Sequence, residues 1–118
     1  MDKALFDSCD LNSLRKGYYG AALMPVAALK EMAKRMAQIP LWNFYGQSGI
    51  APLATVLKPE DQLRKSGSTG RPVLNVKTRV LDEVMNDEAL GEIGEIVHRS
   101  PQFLTGYFNE EAKTAAVF

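Results

Sequence analysis

A single cysteine and a single histidine stand in this chain of 118 residues. Cys9 has no cysteine partner, so an internal disulfide is excluded, and with His98 alone beside it so is the usual four-ligand zinc site. Charge of one sign is also lacking, because fourteen Lys and Arg balance fourteen Asp and Glu. Nucleic-acid and anionic-membrane binders ordinarily carry a basic excess, so neither partner class is supported. No apolar run approaches the ~20 residues needed to span a bilayer. Residues 1–11 hold no apolar stretch and no small-residue cleavage site of a secretory leader. The expected setting is cytoplasmic and reducing. A net charge near zero also favours self-association.

What is present is ordinary globular material. Hydrophobic residues make up 46% and charged residues 24% of the chain, a balance that argues against wholesale disorder. The length admits one domain at most. Residues 1–16 are polar and predict no regular element. Residues 16–22 (KGYYGAA) read as a short strand ending in small residues. Pro25 suits the first position of a helix, where a missing N–H costs nothing. From Val26 to Ala37, Leu29, Met32, Ala33 and Met36 recur at helical spacing, with Glu31 and Arg35 four apart on the outer side. Pro40 closes the helix and residues 41–45 (LWNFY) form an aromatic strand.

Strand, helix and strand in so short a span predict a parallel βαβ unit, and ligands gather just beyond the C-terminal ends of such strands. The loops in that position are Gly20-Ala21-Ala22 and Gly46-Gln47-Ser48-Gly49. After Pro59 the character changes. Residues 65–72 (KSGSTGRP) fail the phosphate-loop pattern, since Arg71 is followed by proline and a strand, and they read as a flexible connector. Residues 76–81 and 95–99 alternate with a period of two and predict a hairpin, with Ile96 and His98 on one face. Asn109 is read as the N-cap of a final helix. The fold class expected is α/β: a βαβ piece of a parallel sheet (residues 1–59), then a small antiparallel sheet or barrel segment ending in a helix (residues 60–118).

Chemistry-bearing candidates are few. Gly46 allows close backbone approach to a ligand, Ser48 offers a hydroxyl to a phosphate oxygen, and Tyr45 offers a face on which a purine stacks. The same residues also suit an ordinary strand-ending turn. Glu92 and Glu95 read as a solvated turn rather than an acid–base pair, and His98 as a packed or surface histidine.

Taken in order, four blocks resemble the ATP-dependent acyl-CoA synthetases of the adenylate-forming superfamily. They are SLRKGYYGAALMP (13–25), LWNFYGQS with IAPLATV after it (41–48 onward), SGSTGRPVLNVKTRVLD (66–82) and GEIGEIVHRSPQFLTGYFNEEAKTAAVF (91–118). The resemblance implies attack of a carboxylate on the α-phosphate of Mg-ATP, giving an acyl-adenylate and pyrophosphate, followed by displacement of AMP by the thiol of CoA. Carried over by position, Gly20, Ala21, Ala22, Asn43, Tyr45, Gly46, Gln47 and Ser48 are the nucleotide-binding candidates, with Tyr45 stacking on adenine and Ser48 on the phosphate. Ala22, Ile50 and Ala51 are the acyl-pocket candidates, for an aliphatic or fatty acid.

The resemblance also marks departures. The family's magnesium-holding glutamate falls at position 49, where this chain has Gly49. Its phosphate loop falls before residue 1, and its ribose-binding aspartate and catalytic lysine fall beyond Phe118. The expectation is an incomplete synthetase piece, inactive alone, with no catalytic residue and no metal ligand of its own. A non-catalytic nucleotide- or partner-binding module is the alternative, and a subunit completed by separate chain segments is a third reading. Exposed sheet edges would favour oligomers or such segments.

Overall fold

The computed structural model describes residues 3–50 and 52–117. A short helix, α1 (Lys3–Ser8), opens the chain. The polar composition there predicts nothing regular; the turn is secured by Ser8 Oγ donating to the Leu5 carbonyl at 2.7 Å and by Phe6 lying under the Arg35 guanidinium. Strand β1 (Gly17–Gly20) follows, then helix α2 (Val26–Arg35) and strand β2 (Leu41–Tyr45). The two strands are parallel neighbours in the register Gly17↔Leu41 through Gly20↔Phe44, as the βαβ pattern predicts.

Helix α2 forms for the reasons its sequence carries. Pro25 stands at the N-cap, one residue before the position expected, and its carbonyl accepts the first helical bond from Leu29 N at 3.0 Å. Leu29 is buried and packs with Ile39 and Leu41, while Met32 and Met36 lean on the same cluster. The outer pair Glu31–Arg35 closes at 2.5 Å on an accessible face, where such pairs contribute little. The helix ends at Arg35, short of the expected Ala37.

The sheet then departs from a purely parallel plan. Strand β3 (Thr55–Leu57) pairs antiparallel with β2, and the two-residue strand β4 (Arg71–Pro72) pairs antiparallel with β3, giving the order β1-β2-β3-β4. The chain reverses immediately after β2 through a 3-10 turn at Ser48–Ile50, too short a connection for a parallel crossover. The connector at 65–70 is fastened onto β3: Thr55 Oγ1 donates to the Thr69 carbonyl at 2.6 Å. Gly70 adopts φ +88, and a Cβ there would stand 2.0 Å from the Val56 carbonyl oxygen.

The hairpin is formed as predicted. Strands β5 (Lys77–Leu81) and β6 (Glu95–Arg99) pair antiparallel, with Thr78↔His98 and Val80↔Ile96 sharing a face. Helix α3 (Glu111–Ala115) comes last. Its cap position is Glu110 rather than Asn109; Asn109 instead takes φ +53, a left-handed conformation that asparagine tolerates. Thr114 Oγ1 accepts from Tyr107 N at 2.9 Å and donates to the Glu110 carbonyl at 3.0 Å, tying α3 to the turn before it. Among the described residues, no helix is long and apolar enough to cross a membrane.

One side chain joins the hairpin to the first sheet. Gln102, just past β6, donates from Nε2 to the Ile50 carbonyl at 2.8 Å and to the Leu53 carbonyl at 2.9 Å. Leu104 N donates to the Gly49 carbonyl at 3.0 Å. Ile50, Ala54 and Val76 form the small core beneath, with Tyr45, Val73 and Phe103 packed around it. Replacing Gln102 by Ala leaves two partly buried carbonyls without a donor, so a loss of about 1–3 kcal/mol is expected in urea unfolding. Gln102→Glu should cost at least as much, because a carboxylate faces both carbonyl oxygens with nothing to donate.

Candidate functional site

The tips of β1 and β2 lie side by side, and the loops beyond them open on a common cleft of about 290 Å³. Ala21, Ala22, Asn43, Tyr45 and Gly46 all line it, so five of the predicted positions share one opening. The approach of the two strand tips depends on glycine: a Cβ on Gly20 would stand 2.2 Å from the Phe44 carbonyl oxygen. A Cβ on Gly46 would stand 1.6 Å from the Pro52 carbonyl oxygen, so only glycine lets the loop fold back there. Ala21 turns the chain out of β1 with φ +64, a left-handed conformation costing an L residue about 1–2 kcal/mol.

Other walls come from residues that carry no motif. Tyr19 faces the cleft from β1, and Leu23, Met24, Val26 and Leu29 from the entry of α2. Gly67 and Thr69 close it from the connector. Tyr19 is held by a short hydrogen bond from its hydroxyl to Gln62 Oε1 at 2.5 Å, and Gln62 Nε2 in turn donates to the Leu57 carbonyl at 2.9 Å. Burial raises the Tyr19 hydroxyl above its ordinary pKa, keeping it a neutral donor. Nothing in the spacing of Tyr19 or Gln62 signals this contact, which spans 43 residues of chain; Gly70 of the connector is the one position there whose glycine reflects close approach to another backbone.

The remaining predicted positions lie elsewhere. Gln47 is exposed and donates from Nε2 to the Tyr45 hydroxyl at 3.0 Å. It lines a second hollow of about 330 Å³ with Gly49, Ile50, His98 and Phe103. Ser48 is exposed at the start of the 3-10 turn. Ile50 is 1% exposed and belongs to the core as well as to the wall of the second hollow. Ala22 and Ile50, both acyl-pocket candidates, therefore border different cavities. The third, Ala51, lies outside the described residues.

Behind Tyr45 stands the only histidine. The two ring centres are 6.2 Å apart, and Thr78 Oγ1 lies 2.9 Å from His98 Nδ1. His98 Nε2 is buried and has no hydrogen-bond partner among the described residues. Burial holds the ring below its ordinary pKa, so the fold favours neutral imidazole. Below about pH 6.5 the unfolded chain therefore takes up a proton that the folded chain refuses, and stability falls with acid. Urea unfolding at pH 7.5 and 5.5 should show this loss in the parent chain and a smaller one in His98→Gln.

Comparison with known proteins gives the family and agrees with the fold. The sequence model of a family described as AMP-binding enzyme matches residues 1–108. An indoleacetate–CoA ligase of Aromatoleum aromaticum is 34% identical over 95% of this chain and 22% of its own length. The medium/long-chain-fatty-acid–CoA ligase FadD8 of Mycobacterium tuberculosis is 34% identical over 92% of this chain and 19% of its own. The amide bond synthetase McbA of Marinactinospora thermotolerans superposes with a TM-score of 0.85 at 30% identity, over 96% of this chain and 23% of that one. O-succinylbenzoate CoA synthetase of Bacillus subtilis, solved with ATP and a magnesium ion, gives 0.83 at 25% identity, over 98% and 24%. The chain thus spans about a fifth of the length of the curated relatives it matches. With the family match running through both sheets and through every loop that borders the cleft, the chain belongs to the AMP-binding enzyme family.

Proposed function

We propose that these residues form the adenine-facing wall of an AMP-forming acyl-CoA synthetase: carboxylic acid, ATP and CoA giving acyl-CoA, AMP and pyrophosphate. The observation that carries the reading is the shared cleft at the tips of β1 and β2, where Ala21, Ala22, Asn43, Tyr45 and Gly46 converge. In this reading Tyr45 stacks on the base, and the Gln47 amide fixes its hydroxyl end. Asn43 offers an amide to the base edge, and Gly46 and the alanines let the nucleotide come close to backbone. Ser48 contacts the phosphate from the mouth of the loop, and Ala22, on the wall of the same cleft, borders the acyl group. The reacting carboxylate attacks the α-phosphorus and pyrophosphate leaves; the CoA thiol then attacks the acyl carbon and AMP leaves. The described residues orient the nucleoside for these steps and supply no acid, base or nucleophile.

On that basis the isolated chain binds nucleotide weakly and does not catalyse. Relatives named as ligases of indoleacetate and of medium- and long-chain fatty acids support an organic carboxylate as the parent substrate. A second reading, completion by separate chain segments, is favoured by one face of the sheet. Tyr18, Trp42 and Phe44 stack there with ring centres 5.5 and 5.1 Å apart, and Tyr18 is 57% exposed. Sheets with parallel strands ordinarily have both faces covered.

The purified chain should show no carboxylate-dependent ATP–pyrophosphate exchange above background; measurable exchange would overturn the inactive assignment. In a ¹H–¹⁵N NMR titration, AMP should shift the amides of residues 21, 22, 43, 45 and 46, with a dissociation constant on the order of 1 mM. Tyr45→Phe, which keeps the ring, should retain these shifts, and Tyr45→Ala should lose them.

A further inference from the structure

Beside the small core stands one group that changes charge near neutral pH. His98 lies on β6 opposite Thr78, and its ring stands 6.2 Å from that of Tyr45, tilted by 44°. Thr78 Oγ1 is 2.9 Å from Nδ1, whereas Nε2 is buried without a hydrogen-bond partner among the described residues. A neutral imidazole can leave one nitrogen bare. An imidazolium carries a proton on both and needs two acceptors. Thr78 supplies one of them.

The groups that face the ring do not welcome a cation. Among the described residues lining the hollow at His98, the other charged side chain is Arg99, of like sign, and Tyr107 brings a phenol. From β5, Thr78 is neutral, and Lys77 and Arg79 alternate onto the opposite face. Tyr45 comes from β2 and Gln47 from the loop after it. The acids of α3, Glu110 and Glu111, border a different hollow, and Lys113 stands over the Tyr107 ring. At 6.2 Å, Tyr45 is at the outer limit of attraction between a cation and a ring face,. Burial, which holds the His98 pKa down, points the same way.

The ring can escape this environment without unfolding the chain. The loop after β2 is held by bonds that do not pass through His98: Gln102 Nε2 to the Ile50 and Leu53 carbonyls, and Leu104 N to the Gly49 carbonyl. Tyr45, by contrast, borders the cleft and also stands against the His98 ring. Gln47, bonded to the Tyr45 hydroxyl, is itself a wall of the His98 hollow.

We propose that His98 is an acid-operated latch: on protonation its ring leaves the hollow, and Tyr45 and Gln47 lose their backing while the strands and the Gln102 staple stay in place. A ring that takes up a proton more readily outside the hollow is drawn out as pH falls below about 6.5. The Tyr45 wall of the cleft is thus ordered near neutral pH and loosened in acid. This holds whatever the cleft binds, and so does not rest on the nucleotide reading.

The test uses the whole 118-residue chain, labelled with ¹³C and ¹⁵N and followed by NMR from pH 7.5 to 5.0. Nuclear Overhauser contacts between the His98 and Tyr45 rings should be present at pH 7.5 and fade in step with titration of the His98 ring. Those between Ile50 and Val76, in the core beneath, should persist. Opening should grow by up to about tenfold per pH unit, the limit for one proton. In His98→Gln, which cannot take up that proton, the amides of residues 45–47 should no longer respond to pH. Ring contacts that survive to pH 5.0, or that vanish only together with those of Ile50 and Val76, overturn the latch. An unchanged pH response in His98→Gln does so too, and should that variant not fold, the contacts in the parent chain decide alone.

Discussion

The fold depends on how the backbone from residue 46 to residue 54 is held. That stretch leaves β2, reverses through a 3-10 turn and enters β3, with Ala54 N donating back to the Tyr45 carbonyl at 2.8 Å. Its reversal is tight enough that Gly46 packs directly on the Pro52 carbonyl. Its carbonyls at 49, 50 and 53 are met from outside, by Leu104 N and the Gln102 amide. Partly buried carbonyls have to be paired or they oppose folding. The hairpin unit therefore does more than sit beside the first sheet: it supplies the donors that let the loop at the mouth of the cleft keep one conformation.

Much of this was legible in the residues, and the boundary between what was and was not follows a physical rule. Leu29, Met32 and Met36 repeat at helical spacing because one face of α2 is buried. Residues 41–45 and the 77–81 and 95–99 pair read as strands because their alternation or aromatic content marks pleated surface. These are local signals. The antiparallel addition of β3 and β4 has no such signal; it depends on a turn whose glycine matters only once Pro52 is in place. The Tyr19–Gln62 bond and the Gln102 staple are likewise contacts between distant segments, and a single sequence carries no mark of them. Asn109 misleads for a related reason, since asparagine suits both a helix cap and a left-handed turn, and the chain uses it for the turn.

The candidate site divides the same way. Its Asn43 is named only through the family resemblance, whereas its strand-tip loops follow from topology, so Ala21, Ala22 and Gly46 could be named in advance. The direction in which each loop residue faces could not. Gln47 turns under the loop to the Tyr45 hydroxyl, and Ile50 sinks into the core. The cleft thus owes its shape to glycines, and the described residues that line it are neutral. Tyr45 belongs to both the cleft and the small core behind it.

Trp42, on the aromatic face of the first sheet, is the chain's single tryptophan. Its indole packs 5.5 Å from Tyr18, with the Lys16 ammonium 5.7 Å above the ring. Any polypeptide settling on that surface would have to push aside the ammonium and the water around it, altering the polarity that the indole senses. The molecule thereby carries its own optical reporter for the covering of that face, on the side of the sheet opposite α2 and readable without a label.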